Sequence, residues 1–440
     1  MSDGSSTHKD ANAWRGKFRS RSHDAAHDQQ DPAPAVRCDH PLVFTGQPQL
    51  IDDQTQLLEL IARLRQVGSF AFDSEFIGEL YYVPKLCLIQ IGTPQEIALI
   101  DPLAPLDLMP LWELLCDPSV EKIVHAGGQD VEPAQRATGK PAANVIDTQI
   151  AAGFAHLPYP LSLQRLILQM LDVRISKGLT FTHWDQRPLS PQQIHYAADD
   201  VRYLPAVWSE LRKLVQASGA QDWIRQECDT MCRVTSYQFD PQTSYLRVRG
   251  ASSLNPREMG ILRELTIWRD VCARSADLPA RSFLKDEILI DLCRRAPTTD
   301  DKLNNIQGLP RPIRQDHCER ILSAIVQGRA NPIADGQEVR KSDELPADQF
   351  RIDALFAMTQ TMCLVKGIDP QMAFNRADVA ELLRALAAGH SCDHARLMQS
   401  WRRDVVGQWL ADTVQNGLTT RVGFEGGQLK IADSGNAPDA

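Results

Sequence analysis

The residues of this chain best equipped for chemistry fall at three places. The first is Asp73-Ser74-Glu75, inside SFAFDSEF, a short run rich in Phe and small residues that predicts a β-strand. Positions i and i+2 of a strand share a face, so the two carboxylates project together. Adjacent carboxylates repel, and each raises the other's pKa. A hard divalent cation such as Mg²⁺, which prefers oxygen ligands, removes that cost. Taken alone, such a pair also describes a solvated strand face. Phe70, Phe72 and Phe76 flank it, however, and mark a buried strand.

The second place is HAGGQDVE. Its two glycines permit a sharp strand-to-helix turn, which puts Asp130 in the first turn of a helix, where an acid also suits the helix dipole. The third is HYAADDVRYL, where Tyr196 and Asp200 lie four apart and so share a helical face. A Tyr and an Asp on one face are able to hold a water and a metal together. Asp199 is one residue off and falls within a turn of Tyr196; the spacing favours Asp200.

The elements that must position these groups follow from periodicity. Asp52 or Asp53 caps a predicted helix through LLELIARLRQ. Leu86–Ile91 and Glu96–Ile100 predict two strands joined by Gly92-Thr93-Pro94, then come a helix around LMPLWELLCD and a strand KIVHA. Strands first, then strands alternating with helices, indicate an α/β or mixed-sheet layer fold. Beyond Gly219 strand signals mostly disappear. Pro256–Val326 predicts several helices, Ala330–Pro346 is a polar linker, and ALFAMTQTMCLVKG, RADVAELLRALAAG and ARLMQSWRRDVVGQWLADTV form a last helical block.

The chain has 440 residues, enough for two or three domains. Its 43% hydrophobic and 23% charged content is that of a globular protein. No apolar run is long enough to span a bilayer, and the N-terminus lacks the apolar core of a secretory signal. Ten scattered cysteines without zinc-finger spacing predict free thiols in a reducing cytoplasm. The net charge of −9 argues against a general nucleic-acid adhesive, but not against an enzyme that gathers carboxylates around metal ions.

In order and spacing, the three places resemble the motifs of the DEDD exonuclease superfamily, in the branch with Tyr in its third motif: Asp-x-Glu on a strand, a second-motif Asp, then Tyr-x-x-x-Asp. Asp73, Glu75, Asp130, Tyr196 and Asp200 match position by position. FDSEF, IVHAGGQDVE, VIDTQIAAGF and WDQRPLSPQQIHYAADDVRYL narrow the resemblance to the ribonuclease D family. NPREMGILRELTIWRD and LPARSFLKDEILIDLCRRAPTTDDKLNNIQGLP look like an HRDC domain. The final block resembles a second one more weakly, through DPQMAFNRADVAELL and WRRDVVGQWL. There are departures. The second motif lacks the Asn and aromatic seen in many DEDD exonucleases, although its His-Ala-Gly form is that of the ribonuclease D family, and Thr182-His183-Trp184 replaces the Ser-Asp-Trp usual before Arg-Pro-Leu.

The resemblance implies an α/β ribonuclease H-like (DnaQ-like) exonuclease domain with a mixed sheet, followed by all-α HRDC domains. The expected layout is a disordered extension (1–40), exonuclease domain (41–216), connector (217–250), HRDC domain (251–330), linker (331–346), second HRDC-like domain (347–425) and disordered tail (426–440). It also implies two divalent ions per active site, Mg²⁺ or Mn²⁺. Asp73 would bridge them, Glu75 and Asp200 would hold the ion that activates water, Asp130 would serve the second ion, and Tyr196 would orient the water. The implied reaction is 3′→5′ removal of nucleoside 5′-monophosphates from RNA, with tRNA precursors carrying 3′ trailers as the expected substrate. His125, Lys177, Trp184 and Arg187 flank the motifs and are candidates to contact the RNA, Trp184 by stacking on a base. Two alternatives stay open: a DNA 3′→5′ exonuclease of the same superfamily, because the metals meet phosphate in either polymer, and a non-catalytic RNA-binding protein. Asp147 suits a helix cap and stands outside the core set.

Overall fold

The structure, a computed structural model, describes residues 38–175, 183–233, 239–333, 345–416, 420–425 and 428–433. The first helix, α1 (Gln54–Val67), begins where Asp53 accepts backbone N–H bonds from Thr55 (2.9 Å) and Gln56 (3.2 Å). It buries Leu57, Leu60, Ile61 and Leu64 on one stripe, each worth about 1.5–3 kcal/mol. It ends at Gly68, whose φ of 74° is the left-handed conformation a glycine adopts without penalty.

That helix lies among the strands of a six-stranded mixed sheet: β1 (Gln49–Ile51), β2 (Ser69–Ile77), β3 (Lys85–Gly92), β4 (Ile97–Ile100), β5 (Glu121–Val124) and β6 (Val145–Asp147), in the order β1-β4-β3-β2-β5-β6. β1 runs parallel to β4, β3 antiparallel to β4, and β2, β5 and β6 run parallel. Helices α2 (Met109–Leu115), α3 (Gly128–Thr138), α4 (Thr148–Gly153), α5 (Leu163–Leu171), α6 (Pro191–Arg202) and α7 (Leu204–Ser218) follow the strands. Cys87 to Gly92 of β3 are all buried, the pattern of a strand covered on both faces. At Gly92 a Cβ would stand 2.6 Å from the Val201 carbonyl oxygen. Only glycine lets α6 approach the sheet this closely.

The expected connector carries a helix of its own, α8 (Gln221–Arg233), which buries Ile224, Cys228 and Cys232. Cys228 Sγ accepts the backbone N–H of Asp147 in β6 (3.3 Å). The chain divides into two compact units. One comprises the described residues of 38–75, 87–233 and 345–433, the other those of 76–86 and 239–333. The C-terminal helices of the first unit are α14 (Pro346–Val365), α15 (Pro370–Ala373), α16 (Arg376–Ala387), α17 (Ser400–Arg402) and α18 (Gln408–Asn416), the last two joined by a π turn. Trp401 Nε1 and Arg402 Nη1 both donate to Glu227 Oε1 of α8 at 2.7 Å.

The second unit is helical: α9 (Pro256–Ser275), α10 (Ala280–Phe283), α11 (Asp286–Arg295), α12 (Asp300–Asn304) and α13 (Arg311–Ala330). Leu262, Leu265, Leu289, Leu292, Ile321 and Ile325 form its core. A Cβ on Gly328 would fall 2.4 Å from Ile261 Cα, so α9 and α13 touch backbone to backbone. Arg269 donates to Asp286 at 2.7 Å within this core.

The disordered tail expected from 426 onward differs from what is found, because Thr420–Glu425 and Gln428–Asp433 pair as an antiparallel hairpin, β7 and β8. Most of the expected N-terminal extension and of the 331–346 linker, and the last seven residues, lie outside the described residues. No described helix is long and apolar enough to cross a membrane, and all ten cysteines are free.

Candidate active site

β2 and α6 bring three carboxylates together. Oxygen atoms of Asp73, Glu75 and Asp200 lie within 4.8 Å of one another. Strand alternation aims the first two to one side of β2, and α6, seated at Gly92, delivers the third. Helix α6 is fixed at its start by a capping box. Ser190 Oγ accepts from Gln193 N (3.2 Å), while Gln193 Oε1 accepts from Ser190 N (2.8 Å).

Asp130 arrives from another direction. β5 pairs with β2 only as far as Ala71↔Ile123, and past that point the start of α3 lies near β2. Ser74 Oγ donates to Asp130 Oδ1 at 2.5 Å. Asp130 stands outside the 4.8 Å group, yet its charge is felt at Asp73.

The turn that carries Asp130 is held by Asp147. Its carboxylate accepts N–H bonds from Ala126 (3.0 Å), Gly127 (2.9 Å), Gln149 (2.8 Å) and Ile150 (3.3 Å). The cap role expected of Asp147 is thus half of what it does; the other half is to pin the Ala126-Gly127 turn. The left-handed residue of that turn is Ala126 (φ 56°), a strained choice for a residue with a side chain. Gly127 is required for space instead, since a Cβ there would meet Val124 Cβ at 2.5 Å. Ser74 and Asp147 are the site-building residues that the motif pattern passed over.

The electrostatics are those of a crowded anionic pocket. Burial, then the charges of Asp130, Asp200 and Glu75, drive the Asp73 carboxyl well above its usual range. Burial, followed by Asp200 and Asp130, pushes Glu75 up to about 8. Asp200 also rises to about 8 through burial and its acidic neighbours, against a lowering hydrogen bond from Tyr196. Burial raises Asp130 to about 6 although Ser74 pulls it down. The Tyr196 hydroxyl is kept protonated by burial and by Asp200, Glu75 and Asp73. Asp200 Oδ2 is buried with no hydrogen-bond partner among the described residues. An orphaned carboxylate oxygen beside two further carboxylates fits a divalent cation, which would supply the missing partner and relieve the repulsion.

The flanking residues are placed as follows. His125 is half-buried, with Nδ1 2.9 Å from Thr148 Oγ1 and Nε2 2.9 Å from the Leu161 carbonyl; burial lowers its pKa. Trp184 is 4% exposed, its ring centroid 6.1 Å from that of Tyr196. Arg187 pairs with Asp101. Lys177 lies outside the described residues.

Comparison with known proteins gives the family of the chain. Residues 48–216 match the family described as 3′-5′ exonuclease, and residues 258–325 match the HRDC domain. The chain is 33% identical to a ribonuclease D of Granulibacter bethesdensis over 88% of its own length and 97% of the relative's. With a ribonuclease D of Sphingobium indicum it shares 33% over 87% and 98%. Among solved structures, Escherichia coli RNase D, described as an exoribonuclease involved in structured RNA processing, superposes with a TM-score of 0.73 at 27% identity, covering 84% of this chain and 99% of that one. The catalytic core of RRP6 from Trypanosoma brucei shares the fold, at 22% identity and a TM-score of 0.51, over 71% and 88% of the two chains.

Proposed function

The chain belongs to the ribonuclease D family of 3′→5′ exoribonucleases, and from that premise we propose that it trims RNA 3′ ends by hydrolysis at two divalent cations held by Asp73, Glu75, Asp130 and Asp200. The observation that carries this proposal is the 4.8 Å cluster of Asp73, Glu75 and Asp200, with an orphaned Asp200 oxygen inside it. Divalent ions bound there supply Lewis-acid activation of water near neutral pH and neutralise charge building on the scissile phosphate.

The chain's own groups do the rest. Asp73, whose carboxyl feels the charges of Asp130, Asp200 and Glu75, would help hold both ions, Glu75 and Asp200 would hold the one that activates water, and Asp130 would serve the other. Tyr196, kept protonated by its surroundings and donating its one hydroxyl proton to Asp200, would accept a hydrogen bond from the attacking water and so orient it. The half-buried setting of the cluster strengthens each of these interactions relative to bulk water. We place the enzyme in the cytoplasm, in keeping with ten free cysteines, and assign it tRNA precursors with 3′ trailers as substrate.

The test is degradation of matched 3′-tailed RNA and DNA, and of a tRNA precursor with a trailer, in Mg²⁺ or Mn²⁺, with products identified by chromatography. Wild-type protein should release nucleoside 5′-monophosphates from RNA and stop at the mature tRNA end. Asp73→Asn and EDTA should each abolish release. Activity that survives either one removes the metal mechanism, and preference for DNA removes the assigned substrate.

A further inference from the structure

Arg187 is spent on the protein's own acceptors. Its Nε and Nη2 grip both oxygens of Asp101, at 2.5 and 2.6 Å. Nη2 also donates to the Cys87 carbonyl (2.7 Å), and Nη1 donates to the carbonyls of Trp184 (2.9 Å) and Gln186 (2.8 Å). Asp101 directly follows β4 and Cys87 lies in β3, so one planar fork ties the segment entering α6 to two strands of the sheet. Asp101 is itself held, accepting Leu103 N at 2.9 Å. The carbonyl fixed by Arg187 belongs to Trp184, whose indole is buried and tilted 38° against the ring of Tyr196. Tyr196 in turn lies against Asp200.

We propose that Asp101 and Arg187 are positioning residues of this enzyme, which act through Trp184 to set the ring of Tyr196 and so aim its hydroxyl at the attacking water. The inference rests on the role given to Tyr196 above. It assigns Arg187 and Trp184 to the support of catalysis and not to the grip on RNA. A guanidinium with both edges engaged has no fork left for a phosphate, and an indole at 4% exposure offers no face to a base. Lysine at 187 would keep the charge but lose the bidentate geometry, and with it the simultaneous hold on Asp101, Cys87 and Trp184.

The test compares Arg187→Lys and Trp184→Phe, each alone and combined with Tyr196→Phe, measuring single-turnover rate and KM on 3′-tailed RNA at saturating Mg²⁺. Each single substitution should slow the chemical step about tenfold with KM held within about twofold. On the Tyr196→Phe background the same substitutions should cost less than about twofold, because the group they position is gone. A raised KM with the rate kept would identify a phosphate clamp. A full-sized loss on top of Tyr196→Phe would identify a general packing role, and an unimpaired Arg187→Lys would show that the fork does not matter; each of these overturns the proposal. If Arg187→Lys fails to melt cooperatively, Asp101→Asn, which removes the charge from the other side of the fork, takes its place in the same comparison, while Trp184→Phe tests the contact with Tyr196. Asp73→Asn in the same assay separates the two levels. If it is active, the metal mechanism falls; if it is dead while Arg187 and Tyr196 show no coupling, only the positioning falls.

Discussion

Arg202 Nε donates to Asp199 Oδ1 at 2.9 Å, and this ion pair gives two neighbouring carboxylates different surroundings. His195 lies 3.4 Å from the other oxygen of Asp199, so Asp199 is satisfied along its own helix. Asp200, the next residue, turns instead into the cluster with Asp73 and Glu75 and keeps a buried oxygen without a partner. Asp200→Asn should therefore lower the exonuclease rate by roughly 10³-fold, the several kcal/mol that a catalytic metal contributes. Asp199→Asn should retain most of its activity. Comparable losses in both variants would reassign the third-motif acid.

The raised carboxylates make metal uptake a proton-releasing step. With Glu75 and Asp200 pushed to about 8, the cation-free site holds protons at neutral pH that a cation must displace. Calorimetric titration with Mn²⁺ in two buffers of different ionisation enthalpy should show net proton release at pH 7 and less at pH 9. Equal heats in both buffers at pH 7 would contradict it.

The same shifts fix the sign of a stability effect. A carboxyl whose folded pKa is raised favours the folded state fully below its unfolded pKa, about 4, and that contribution is lost as pH rises through the folded pKa, here about 8. In EDTA, melting should fall between pH 5 and pH 9. Mg²⁺ should raise Tm more at pH 9 than at pH 5, by at least about 2–4 °C, the effect of roughly 1 kcal/mol in a domain of 150–250 residues. A larger Mg²⁺ effect at pH 5 would reverse the assignment.

Ser74 should matter through Asp130 alone. Removing its 2.5 Å hydrogen bond frees the Asp130 carboxyl to turn and drives its pKa further up, since that bond is the largest of the influences that pull it down. Ser74→Ala should weaken the apparent Mg²⁺ affinity by ~10–100-fold, as loss of a partner behind a ligand does, while the rate recovers at saturating Mg²⁺. A lowered rate with unchanged Mg²⁺ dependence would place Ser74 elsewhere in the mechanism.

Asp73, Glu75 and Asp200, which the structure brings together, were legible from the sequence because local rules group them: i and i+2 on a strand for the first two, i and i+4 on a helix for Asp200 beside Tyr196. Ser74 and Asp147 were not, because their roles come from closure of the tertiary structure. A serine between two acids reads as strand filler until α3 is brought against it. An aspartate before a threonine reads as a helix cap until the Ala126-Gly127 turn arrives from β5 to share it. The flanking residues Trp184 and Arg187 illustrate the opposite limit. Their chemistry suits RNA, but burial and partners decide what a side chain is free to do, and neither is written in local spacing. The hairpin at 420–433 was missed where a short alternating run, QLKIAD, followed two glycines near the chain's end.

Glu227 ties α8 to the C-terminal helices. It is held by Trp401 Nε1 (2.7 Å) and by Arg402 Nη1 (2.7 Å) and Nη2 (3.1 Å). Arg402 also donates to the Ala373 and Met372 carbonyls, at 2.8 and 3.1 Å. Removing one member of a pair this enclosed leaves the other charge uncompensated, at a cost of about 3–5 kcal/mol. Glu227→Ala should accordingly lower the urea midpoint far more than Asp222→Ala, on the same helix, whose ion pair with Arg225 is solvent-exposed and is worth about 0–1 kcal/mol. Because α8 also supports Asp147 through Cys228 Sγ, Glu227→Ala should raise the Mg²⁺ concentration needed for half-maximal activity. An unchanged midpoint would mean that these helices are not held on α8 by this pair.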